Sequence, residues 1–201
     1  MAIKEITVKF IGISPLLQNN PQTVDVFNRY SKLKKPLSDK RGKAKTDDVI
    51  QKLRDIEVES KLYFDDDIGV YIPSRWVLAA VAQNAYALTK ISKAKTRGAV
   101  FTTEDKFKLN YDGAKNVKTK LDIVHNPKFV VTLILPQQNV RLAKSAPIFH
   151  KWSFNVTLEF DDAIINREDL VTILEYSAKY SGFGDFRPTY GRALCEVTDE
   201  Q

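Results

Sequence analysis

The sequence predicts an α+β domain built on an antiparallel sheet, and three observations carry that expectation. Apolar and polar residues alternate at the strand period near the start of the chain and again, over nine residues, from 152 to 160. Two segments of helical period, one opening at Ser74 and one after Asn166, separate strand-like runs. No internal repeat interrupts this order. With 201 residues, 43% of them hydrophobic and 28% charged, the chain can bury one core, so wholesale disorder is excluded and two full domains would be cramped. Residues 1–201 are therefore expected to form a single domain.

The opening strand places Ile6, Val8 and Phe10 on one face and Thr7, Lys9 and Ile11 on the other, and Gly12 and Pro15 end it. From residue 18 to residue 46 no apolar period is sustained. Residues 18–60 are expected to form a mobile basic insertion, closed by a short helix that Asp47 or Asp48 caps and that carries Val49, Ile50, Leu53 and Ile56. KLYF and VYIP flank DDDIG, the pattern of a hairpin whose turn uses Gly69. Ser74 caps a helix reaching Thr89, with Val77, Ala80, Val81, Asn84 and Leu88 in one stripe.

Strand candidates follow at 99–102, 106–111 and 129–135, the last almost wholly apolar and so expected at the centre of a sheet. Between 152 and 160, Trp152, Phe154, Val156, Leu158 and Phe160 alternate with Ser153, Asn155, Thr157 and Glu159. Asn166 caps a second helix with Leu170, Val171, Leu174 and Ala178 inside, Gly182 stops it, and a last strand spans 192–197. Reduced to its major elements, this order is the split βαβ of ferredoxin-like and RRM-like domains: an antiparallel sheet, helices on one face, and a long basic insertion after the first strand.

Charge is concentrated. Residues 29–45 hold eight basic side chains (Arg29, Lys32, Lys34, Lys35, Lys40, Arg41, Lys43 and Lys45) against Asp39 alone, a net +7 in a chain whose total is +6. A second cationic group, Lys90, Lys93, Lys95 and Arg97, follows the first helix, where the helix carbonyls favour positive charge. Clustered cations of this kind suit the phosphates of a nucleic acid; a solvated loop kept basic for solubility is the plainer alternative.

Other classes find no support. One cysteine, Cys195, forms no internal disulfide, and with two histidines, His125 and His150, no zinc set of the usual spacing assembles. No run approaches the roughly 18 apolar residues of a membrane span, and the first residues lack a signal-peptide pattern, so a cytoplasmic protein is expected. No Walker loop, dinucleotide fingerprint or nucleophile with a base partner is recognisable, and neither a cofactor nor a metal is expected.

The segment GFGDFRPTYG stands between the second helix and the last strand, with three of the eight glycines in ten residues. Gly182 and Gly184 allow close backbone approach, Arg187 and Arg192 can hold phosphates, and Phe186 and Tyr190 can stack on bases. The structural alternative is a helix stop at Gly182, a local pair between Asp185 and Arg187, and a connector shaped by Pro188.

In that order along the chain, GISPLL, GVYIPSRWVLAAVA and GFGDFRPTYGRA resemble landmarks of the RAMP superfamily of CRISPR-associated RNA-binding proteins. The resemblance implies a ferredoxin-like domain whose C-terminal glycine-rich loop contacts RNA. For its backbone-subunit branch it implies that the long insertion acts as a thumb or palm element touching the guide or a neighbouring subunit. Here Ser74, Arg75 and Trp76 stand where the family has a stretch of small residues, and a phage or mobile-element relative would carry the same landmarks.

Taken together, the expected function is non-catalytic binding of single-stranded nucleic acid, RNA ahead of DNA. The expected contacts are Lys34, Lys35, Lys40, Arg41, Lys43, Lys45, Lys90, Lys93, Lys95, Arg97, Gly182, Gly184, Phe186, Arg187, Tyr190 and Arg192. Copies of the chain or other subunits of a ribonucleoprotein are the expected protein partners. The residues leave open an endoribonuclease of the same superfamily, using Asp25, Asp39 or a histidine, and a protein-docking module.

Overall fold

The computed structural model describes residues 3–137 and 140–198. Its strands are β1 (Ile3–Gly12), β2 (Leu16–Leu17), β3 (Phe64–Asp65), β4 (Gly69–Pro73), β5 (Val100–Phe101), β6 (Lys106–Lys108), β7 (Val130–Gln137), β8 (Val140–Phe149), β9 (Ser153–Asp161) and β10 (Ala193–Val197). Its helices are α1 (Arg29–Ser38), α2 (Asp47–Lys61), α3 (Ser74–Thr89), α4 (Lys93–Ala99), α5 (Lys120–Val124) and α6 (Arg167–Tyr176).

The main sheet runs in the order β10-β1-β9-β5, every pair antiparallel. With α3 between β1 and β5 and α6 between β9 and β10, this is the ferredoxin-like arrangement that the element order predicts. Alternation decides which face is covered. Ile6, Val8 and Phe10 of β1 and Phe154, Val156, Leu158 and Phe160 of β9 are all buried, and they join Val77, Ala80, Val81 and Ala85 of α3 and Leu170, Ile173 and Leu174 of α6 in one core. Their intervening neighbours are more open, and Thr7 and Thr157 pair through their hydroxyls at 3.0 Å on the opposite face.

Two smaller antiparallel sheets flank this body, β3-β4-β6 and β2-β8-β7. The second corrects two expectations. β7, expected to be central, is an edge strand with Ile134 62% exposed, because its partner β8 was not recognised from the sequence. β8 reads VRLAKSAPIF, where Arg141, Lys144 and Pro147 hide the strand period. Residues 99–102 also divide differently: Ala99 closes α4, and β5 keeps only two residues.

Residues 18–60 contain more structure than one short helix in a mobile insertion. Asn28 caps α1 by accepting the Tyr30 N–H at 2.9 Å; Tyr30 is buried and donates its hydroxyl to Glu59 of α2 at 3.0 Å. α1 shows no apolar period because Tyr30 is its one buried residue. α2 runs fifteen residues, and its Glu57 accepts from Lys61 at 2.8 Å and from the Ser145 N–H of β8 at 3.2 Å, while Lys61 donates to the Ser145 carbonyl at 2.6 Å. Buried Gln18 donates to the Tyr71 carbonyl and accepts the Tyr63 N–H, and Asn20 and Gln22 donate to the carbonyls of Leu62 and Ser60. Neutral side chains and the Glu57–Lys61 pair thus tie the insertion down.

Burial sets the alkaline limit of this fold. It pushes the Tyr111 hydroxyl up to about 12, raises Tyr30 likewise to about 12 with help from the Glu59 charge and hydrogen bond, and lifts the Cys195 thiol to about 12. All three groups are held protonated by folding, so their contribution is intact below the ordinary values of 10.0 for tyrosine and 9.0 for cysteine and is lost as pH rises towards 12. The urea midpoint is expected to fall from about pH 9 upward, and Tyr30→Phe to flatten that decline above pH 10; a pH series of denaturation curves checks both.

Candidate functional site

The glycine-rich segment is built around the turn that follows β1. Phe183 enters the core, 1% exposed, and meets Phe10 at 4.9 Å and Phe154 at 5.5 Å between ring centroids in edge-on contacts. From this anchor the loop closes on residues 13–17. Asp185 N–H donates to the Leu17 carbonyl at 3.0 Å, Gly191 N–H to the Pro15 carbonyl at 2.8 Å, and Arg192 N–H to the Ser14 hydroxyl at 2.9 Å. Ile13 and Ser14 return their N–H groups to the Arg192 carbonyl, and the Trp152 indole donates to the Ser14 carbonyl at 2.7 Å.

Such an approach leaves no space for side chains. A Cβ at Gly191 would overlap the Phe183 carbonyl, one at Gly184 would overlap the Leu17 carbonyl, and both positions have positive φ. The glycines are thus accounted for by contact with the protein's own backbone, as in the structural alternative. The predicted local pair is not formed: among the described residues no carboxylate lies within 4 Å of Arg187, whose guanidinium reaches the Gly182 carbonyl at 3.4 Å.

On its outer side the loop walls a cleft of about 520 Å³ with α3 and the turn after α6; Gln83, Tyr180, Ser181, Gly184, Asp185, Phe186, Arg187 and Pro188 line it. Here α3, one position beyond the second landmark, meets the glycine loop. Asn84 of α3 donates to Ser177 Oγ at 2.9 Å and Ser181 Oγ at 3.1 Å, fixing the helix to the turn of residues 177–181. That turn is a single π turn in which the Gly182 N–H reaches back to the Ser177 carbonyl at 2.8 Å.

The expected contact residues fall in three places. Gly184, Phe186 and Arg187 line the cleft; Gly182 is buried beneath it. Tyr190, half-buried, and Arg192, exposed, follow in the loop but do not line it. Lys90 ends α3 in a left-handed cap, seven residues and so about 10 Å along the helix from Gln83, with Lys93, Lys95 and Arg97 exposed on α4. Lys34 and Lys45 line a separate cleft of about 410 Å³ between the α1–α2 pair and the β7–β8 hairpin, beside Arg54. Lys35, Lys40, Arg41 and Lys43 are exposed nearby in sequence, and among the described residues no carboxylate lies within 4 Å of any of these six.

Sequence reasoning did not select Gln83, Tyr180 or Ser181, because their side chains converge only once α3 and α6 pack together. Asp185 was considered only as a partner for Arg187. Elsewhere, Asp25 and Asp65 accept backbone N–H groups two residues on, and Lys106 first, then the amides of Asp67 and Ile68, hold the Asp65 carboxyl below its usual range. The raised Cys195 thiol is the opposite of an activated nucleophile. His125 lies 3.8 Å from Asp55. Among the described residues no three His, Cys, Asp or Glu side chains gather as metal ligands would, and no helix is long and apolar enough to cross a membrane.

No protein-family model matches the sequence, and no curated protein matches it. Among solved structures, the chain is similar to one in the cryo-EM structure of the type III-B Cmr-beta bound to cognate target RNA. The identity is 12% and the TM-score 0.40, over 98% of this chain and 60% of that one, so it spans less than two thirds of that relative's length. Cmr6 from Pyrococcus furiosus is similar at 12% identity and a TM-score of 0.33, over 96% of this chain and 99% of that one. The fold stated above rests on strand order.

Gly191→Ala is expected to cost at least about 2 kcal/mol, since the new methyl meets a carbonyl inside a closed ring of hydrogen bonds. Gly98→Ala, where nothing lies within 4 Å of an added Cβ, should be neutral or slightly stabilising. Paired urea titrations compare them.

Proposed function

We propose that the protein is a non-catalytic, RAMP-type domain that binds single-stranded nucleic acid, RNA in preference to DNA, and works beside copies of itself or other subunits of a cytoplasmic ribonucleoprotein. The observation that carries this reading is the basic run: Lys34, Lys35, Lys40, Arg41, Lys43 and Lys45 are exposed and have no carboxylate partner among the described residues. Cations left uncompensated in this way attract a polyanion and release its counterions on contact. The likeness of three sequence landmarks to RAMP proteins supports the same ligand class, and so does the cleft beside the glycine loop with Arg187, Phe186 and Tyr180 on its walls.

In this reading Arg187 and Arg192 hold phosphates at the loop, Phe186 and Tyr190 stack on bases, and Lys90, Lys93, Lys95 and Arg97 extend the basic track along α3 and α4. The insertion supplies long-range attraction. A docking role for another protein draws on a different observation, the exposed apolar side chains on the strands of the β7–β8 hairpin, Ile134 at 62% and Leu142 at 40%.

Anisotropy titration of a labelled oligouridine and its DNA counterpart at two salt concentrations tests the proposal. Binding is expected to weaken with salt at roughly 0.7 logarithmic units per phosphate contacted. Combined Lys34→Glu, Lys35→Glu and Lys40→Glu substitution should lower that slope, and Arg187→Ala with Arg192→Ala should weaken binding. No binding to either strand at low salt would sink the reading in favour of protein docking.

A further inference from the structure

We propose that the cleft beside the glycine loop takes one unpaired guanine base, an inference that rests on the nucleic-acid reading of the same site. It starts from Asp185. Its backbone N–H is fixed to the Leu17 carbonyl at 3.0 Å, so its position is set by the closure of the loop. Its side chain makes no hydrogen bond or ion pair among the described residues, although Arg187 stands two positions away in the same wall. A carboxylate without a partner repels phosphate and attracts donors. A cleft serving only as an anion clamp would not carry one.

The remaining walls suit a base. Phe186, half-buried, and Tyr180, 56% exposed, place aromatic rings on the wall; the Tyr180 ring also meets Tyr176 at 4.8 Å between centroids and Lys179 Nζ at 5.4 Å. Gln83 and Ser181 add uncharged polar groups, and the Arg187 guanidinium spends one nitrogen on the Gly182 carbonyl and keeps its other donors for the flanking phosphate or a base oxygen.

Chemistry of the base edges then selects among four. An unpaired base shows its Watson–Crick edge. Guanine presents two adjacent donors there, the ring N1–H and the N2 amine, which match the two oxygens of a carboxylate. Uracil sets its single ring N–H between two carbonyls, and adenine and cytosine place a ring acceptor beside their amine, so each opposes Asp185 with at least one lone pair. Guanine alone satisfies both oxygens.

The test uses the full chain and a short fluorescein-labelled oligouridine with guanine, inosine, adenine or cytosine at one central position, beside unsubstituted oligouridine. Guanine should bind about tenfold tighter than adenine, cytosine or uracil, the discrimination of one good bidentate contact. Inosine, which lacks the N2 amine, should fall between. Asp185→Asn should erase the preference and leave the thermal midpoint nearly unchanged, because the side chain makes no hydrogen bond or ion pair among the described residues; Asp185→Ala repeats the comparison without a new amide. Equal affinity for all four bases, or a guanine preference that survives in both variants, would overturn the inference and leave nucleic-acid binding standing. Failure of every oligonucleotide to bind would overturn both.

Discussion

The closure of the glycine-rich loop on the turn after β1 is the constraint on which the rest of the arrangement depends. Three consecutive structural facts are coupled through it. Phe183 must be buried for the aromatic group of Phe10, Trp152 and Phe154 to be complete; the loop must therefore return over residues 13–17; and that return is possible only where Gly184 and Gly191 present no side chain. Backbone amides of Asp185, Gly191 and Arg192 then have partners in the turn, and residues 185–187 line the cleft beside it. A core-packing demand thus fixes the geometry of a surface cleft.

Legibility from sequence followed the physics of each element. The extent of α3, Ser74 to about Thr89, was legible because its apolar period and the preceding Pro73 are local signals, but Ser74 is its first residue and not its cap: Pro73 holds the N-cap position with no side-chain hydrogen bond. β9 and the Asn166 cap of α6 were equally plain; Asn166 accepts the Asp169 N–H at 2.8 Å. β8 was not legible, because its residues answer to α2 and β7 and only some of its positions are apolar. α1 was hidden for a related reason: one tyrosine bonded to Glu59, across 29 residues of chain, does the work of a stripe. At the cleft, Gly184, Phe186 and Arg187 were visible as a motif, whereas Gln83 and Tyr180 come from other elements and no local pattern marks them.

Charge is also divided by the fold. The insertion is secured by Gln18, Asn20, Gln22 and Tyr30, with the Glu57–Lys61 pair bridging to β8, so most of its own cations are not consumed in holding it. Arg29, 3.7 Å from Glu59, and Arg41, which donates to the Ser38 carbonyl at 2.6 Å, are exceptions. Surface pairs contribute little to stability, so leaving Lys34 to Lys45 unpaired costs the fold almost nothing while keeping a concentrated field at one side of the molecule.

Asn84 gives the arrangement a mechanical character. Its amide spans the Ala80 carbonyl and the hydroxyls of Ser177 and Ser181, and Ser177 itself donates back to Ala80. A small rotation or slide of α3 therefore cannot be absorbed at a slack joint; it is passed through this polar rivet to the π turn and on to the loop beyond Gly182. The far end of the same helix is capped by Lys90, so the cation group that begins there and the polar rivet at Asn84 share one helix.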